Sequence, residues 1–130
     1  MTQVQSNPVD PHSLVALFPL IHHHSGCVGI ALSADGYRWS RPTPVARCNV
    51  YGERAMNHPA GLARRNGQIW IYVHENVPGI TIDRLTPGPL ARQILRSPVA
   101  PPGRLVRYSL SMAWFREWTR RTLGSFGPAA

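Results

Sequence analysis

The chain has 130 residues, a length that suits one domain, and 43% are hydrophobic, enough for a core that four Trp and four Tyr make rich in aromatics. Fourteen basic residues, all arginine, stand against six acids for a formal charge of +8, a balance that draws anionic partners. No run approaches the roughly 20 apolar residues of a membrane helix, no basic start followed by an apolar run marks a signal peptide, and two cysteines are too few for a disulfide framework. The arginines are scattered, with Arg64-Arg65 and Arg120-Arg121 the longest runs, so neither a membrane nor nucleic acid is the expected partner.

Thirteen prolines and eleven glycines punctuate the chain, which argues for short strands and turns rather than long helices. Residues 1–13 read as a polar, ragged lead-in. "LVALFPLIH" (14–22) follows as a buried strand whose Pro19 implies an edge or a bulge. "CVGIALS" (27–33) is a second apolar strand, closed by the Asp35-Gly36 turn signal, and "TPVARC" (43–48) is an outer strand. Cys27 and Cys48 are read as small buried residues rather than as a bridge.

A second unit begins at "HPAGLARR" (58–65) and turns at Asn66-Gly67. "QIWIYVHE" (68–75) then alternates, with Ile69, Ile71 and Val73 on one face and Trp70, Tyr72 and His74 on the other. "GITIDRL" (79–85) and "ARQILRS" (91–97) are further candidate strands. "RLVRYSLSM" (104–112) places Val106, Tyr108, Leu110 and Met112 on one face. In the tail, Trp114, Phe115, Trp118 and Leu123 fit one side of a short helix that caps the sheet, with Glu117 spaced to pair with Arg121.

The two units are self-similar. Asp35-Gly36 precedes Trp39 as Asn66-Gly67 precedes Trp70, an offset of 31 residues. The expected architecture is therefore all-β: a partial β-propeller of about two blades, in units of about 14–50 and 53–112, with a helical tail and flexible end at 113–130. Trp39 is expected to pack between neighbouring sheets.

"SADGYRWSRPTPV" (33–45) resembles the S-x-D-G-x-x-W-s-x-P segment of five-bladed propeller glycosidases of the arabinanase, xylosidase and invertase type, and is a near relative of the sialidase Asp-box. "ERAMNHPAGLARRNGQIWIYVHENV" (53–77) looks like the start of a following blade in such proteins. The resemblance, over residues 14–112, implies the C-terminal blades of a carbohydrate-active protein, completed either by missing N-terminal blades or by further copies of the chain. It also implies that His58 faces a central channel, near an ion or its waters.

Glycoside cleavage needs two carboxyl groups roughly 5–10 Å apart. The acids are Asp10, Asp35, Glu53, Glu75, Asp83 and Glu117. Asp35 belongs to its turn, and no pair among the others has a spacing that makes it converge, so the catalytic residues stay unassigned and a competent hydrolase is not expected of the chain alone. The candidate substrate-binding cluster is Glu53, Arg54, Asn57 and His58, in "GERAMNHP" (52–59), where Arg and Asn suit sugar hydroxyls or a carboxylate. No metal site or cofactor is expected. The run His22-His23-His24 reads as a polar strand end, because alternate side chains diverge. A non-catalytic carbohydrate-binding or self-assembling β-module is the alternative function, and a basic nucleic-acid binder a further one.

Overall fold

The computed structural model describes residues 2–78 and 100–126. The strands "GITIDRL" and "ARQILRS", and with them Asp83, lie outside the described residues. Two antiparallel sheets are present, so the all-β expectation holds. The first, of order β1-β2-β3-β4, is built from β1 (Gln3–Asn7), β2 (Asp10–His22), β3 (Ser25–Ser33) and β4 (Thr43–Pro44). A 3-10 turn (Gly52–Arg54) then leads into the second sheet, of order β5-β6-β7. Its strands are β5 (Ala55–Arg65), β6 (Gln68–Pro78) and β7 (Arg104–Ser111), and helix α1 (Met112–Gly124) follows directly.

One hydrophobic cluster joins the sheets. Val15 and Leu17 of β2, Val28, Ile30 and Leu32 of β3, Leu62 of β5 and Ile69, Ile71 and Val73 of β6 meet in it, with Phe115 of α1 fully buried among them. The alternation read in 68–75 thus sorts as expected. Each such buried side chain contributes about 1.5–3 kcal/mol. Ser111, the last residue of β7, caps α1 by accepting a 3.2 Å bond from the Trp114 amide, which is why strand passes into helix without a loop. Glu117 pairs mainly with Arg120, at 2.6 Å, and only distantly with the expected Arg121, at 3.8 Å.

Three local expectations need correction and a fourth needs refining. The lead-in is not ragged: β1 pairs with β2, and its Asn7 is buried and donates to the Thr119 hydroxyl of α1 at 3.1 Å. Pro19 lies in no bulge, and it meets the edge expectation only locally, at a stretch of an inner strand that β1 does not cover. It lies opposite Val28, whose carbonyl bonds the Val45 amide on the far side, so the proline's missing N–H faces the open flank beyond the end of β1. Trp39 is half-buried outside the shared core, and its indole N–H returns to the Gly36 carbonyl at 3.2 Å. Finally, Cys27 and Cys48 form a disulfide. The chain doubles back through β4 and brings position 48 beside β3, a proximity that a separation of 21 residues does not reveal.

Candidate functional site

The segment after β4 is pinned to β3 at three successive points. The Val45 amide bonds the Val28 carbonyl at 2.8 Å, the disulfide joins Cys48 to Cys27, and Gly26 and Asn49 exchange backbone bonds of 3.1 and 2.8 Å. Gly26 has to be glycine here, because a Cβ would stand 2.7 Å from the Asn49 Oδ1 that its own amide bonds.

From this anchor three asparagines knit the sheets together. Asn49 Nδ2 donates to the Ala55 carbonyl at 2.7 Å, to Asn57 Oδ1 at 3.0 Å and to Asn76 Oδ1 at 3.4 Å. Its Oδ1 accepts from the amides of Gly26 and Tyr51. Asn57 is 1% exposed; it donates to the carbonyls of Gly26 and Arg47 and accepts from the Asn76 amide. Asn76 holds a left-handed backbone at φ 58°, a conformation asparagine tolerates better than most side chains. Buried amides of this kind are favourable only when fully satisfied, and Asn49 and Asn57 are.

Beside the asparagines, Glu75 points inward from β6 and is 6% exposed. Arg104, at the start of β7, donates its Nε to Glu75 Oε1 at 2.9 Å, and the Tyr108 hydroxyl donates to Oε2. Burial, reinforced by the Glu75 bond and charge, pushes the Tyr108 hydroxyl up to about 12, so it remains a neutral donor. Arg47, Asn49, Tyr51, Glu75, Asn76 and Arg104 border a cleft of about 380 Å³ closed on one side by Pro101 and Pro102.

Of the four residues singled out in 52–59, Asn57 and His58 are placed on different faces. Glu53 and Arg54 belong to the 3-10 turn, and the buried Nε of Arg54 has no hydrogen-bond partner among the described residues. Asn57 faces inward as part of the asparagine knot, whereas His58, the next residue of the strand, faces outward opposite His74. Burial holds His58 below the ordinary 6.5, and the neighbouring His74 adds to the effect. His23 and His24 form the two-residue turn between β2 and β3, at φ 48° and 65°. Among the described residues no group of three or more His, Cys, Asp or Glu gathers to hold a metal.

The sequence pattern alone missed Asn49, Asn76, Arg104 and the role of Tyr108. "HEN" at 74–76 is the visible signal, three consecutive polar residues after the apolar alternation of β6. Chemically the cleft offers a single described carboxylate with both oxygens engaged, flanked by guanidinium groups and the Tyr51 ring. No family model, no curated protein and no solved structure matches this chain.

Proposed function

We propose that the chain is a carbohydrate-binding β-module, akin in build to the C-terminal blades of propeller glycosidases and without a complete hydrolytic pair of its own. The cleft beside Glu75 carries this reading: it is bordered by an aromatic ring, fixed amide groups and guanidinium donors, the mixture that recognises a sugar's C–H face and its oxygens. Glycoside hydrolysis needs a second carboxyl group roughly 5–10 Å away, and among the described residues Glu75 is the one carboxylate bordering the cleft. The partial-propeller architecture is part of the same proposal. Each sheet is a meander in which sequence neighbours pair, as in a propeller blade, and further blades or further copies would complete the ring.

The test is a titration of the isotopically labelled chain with a panel of neutral and acidic oligosaccharides, alongside an assay for released reducing ends. Shifts confined to 47–51, 75–76 and 104, without cleavage, are the expected result. Cleavage abolished by Glu75→Gln would make the chain an enzyme instead. Absence of any shift across the panel would overturn the reading.

A further inference from the structure

The charged hydrogen-bonding capacity left over in the cleft is weighted towards donors. A neutral sugar hydroxyl both donates and accepts, so a site for neutral sugars offers both kinds of group. Here the side-chain oxygens of Glu75, Asn49, Asn57 and Asn76 each already accept from a donor of the protein itself. Glu75 takes one donor on each oxygen, from Arg104 and Tyr108. Asn49 Oδ1 takes two amides, and Asn57 Oδ1 takes one amide and one side-chain donor.

The charged groups left free to bond a ligand are donors. Arg104 is bonded to Glu75 through Nε alone, and among the described residues its two terminal nitrogens have no partner; the side chain is 65% exposed. Arg47, also exposed, borders the same cleft and forms no described ion pair. Arg54 borders an adjoining hollow of about 440 Å³ that shares Asn76, Pro101 and Pro102 with the first. Two guanidinium groups thus border the cleft with one described carboxylate, itself paired with Arg104, and a third lines the adjoining hollow.

The Glu75 contact also orders the donor. Arginine normally loses side-chain entropy when it grips a ligand. Bonding Nε to a buried carboxylate holds the guanidinium plane in place beforehand and leaves its terminal fork for a planar anion. Tyr108 locks the second oxygen of Glu75 and so keeps that carboxylate from turning.

From this donor excess we infer that the cleft receives an acidic sugar, one whose carboxylate or sulfate ester is held by the terminal nitrogens of Arg104 with Arg47 alongside. Glu75 is a positioning residue for Arg104. The inference rests on the carbohydrate-binding reading and names the sugar class.

The test is calorimetric titration of the full chain with oligomers of galacturonate, glucuronate and mannuronate, with the neutral methyl ester of each, and with a sulfated galactan oligosaccharide. At least one acidic oligomer binds, at least tenfold tighter than the matched neutral skeleton, and 0.5 M salt erodes the difference. The carboxylate and sulfate arms tell which anion is preferred. Arg104→Gln, with near-ultraviolet circular dichroism checking that the fold is kept, weakens the acidic oligomer at least tenfold and the neutral ester by a smaller factor. Glu75→Gln lowers the preference partially, with near-ultraviolet circular dichroism unchanged. Equal binding of ester and acid, or an Arg104→Gln loss shared equally by both, overturns the acidic-sugar inference while leaving the carbohydrate reading in place. If no oligosaccharide of either kind binds, both fall.

Discussion

The segments 33–40 and 64–71 carry the same layout, polar residue, Gly, two residues, Trp, yet they fold differently. In 65–68 the turn is made by the backbone: Asn66 and Gly67 sit at φ 50° and 71°, and Arg65 pairs with Gln68 to continue an eleven-residue strand on either side. In 33–40 side chains do that work. Asp35 Oδ1 accepts from the amides of Tyr37 and Arg38, Ser33 Oγ accepts from Gly36, and Ser40 Oγ accepts from Leu32, closing a compact loop rather than a hairpin. The lesson lies at the equivalent positions after the glycine. Ile69 and Ile71 are apolar and are drawn fully into the core, which extends the strand, whereas Arg38 stays exposed and Ser40 is buried as a polar clasp on Leu32 rather than as core. The turn glycine is shared, and apolar burial of the next residues extends only the second strand.

That contrast can be broken at several levels. The largest effect is expected at the core positions: Ile69→Ala costs about 2–5 kcal/mol in denaturant unfolding, while Arg38→Ala, at the matching place in the exposed loop, leaves the midpoint nearly unchanged. Next is the disulfide, which encloses the first segment and has no counterpart around the second. Reduction lowers stability by about 3 kcal/mol for a loop of this length. The loss appears in the wild type under reductant and is absent for the Cys27→Ala, Cys48→Ala double variant.

Smaller and equal effects are expected at the two turn glycines, the feature that the segments share. Gly36 and Gly67 lie at φ 82° and 71°, and a Cβ meets only an ordinary contact at the first and open space at the second. Alanine at either therefore costs only the left-handed conformation, about 1–2 kcal/mol. Equal thermal shifts would sharpen the comparison, and a large difference would show that one loop adapts.

The smallest effect is a pH response confined to one loop. The amides of Arg38 and Tyr37 hold the Asp35 carboxyl below its ordinary 3.8. A depressed carboxylate contributes order that is fully present above that value and is lost as pH falls through the lower folded pKa. Exchange protection of the Tyr37 and Arg38 amides should therefore vanish with a midpoint below 3.8, while the backbone turn at Asn66-Gly67 keeps its own. Coincident midpoints would mean that the whole fold, rather than Asp35, was being titrated.

Residue patterning alone determined the β class, the faces of β6 and β7, the helical tail with its buried Phe115, and both turn glycines, because each depends on neighbours within a few residues. It also drew attention to Arg54 and Asn57, without separating one that closes a polar knot from one whose Nε is left over. Only the tertiary structure decided the rest. The His23-His24 turn carries neither Gly nor Asn, and the pairing of Leu14–His22 with Ser25–Ser33 imposes it. Cys27 meets Cys48, and Glu75 meets Arg104 across 29 residues, because strands far apart in the chain lie side by side. Long-range proximity is a property of the sheet register and shared core, and no local pattern encodes it.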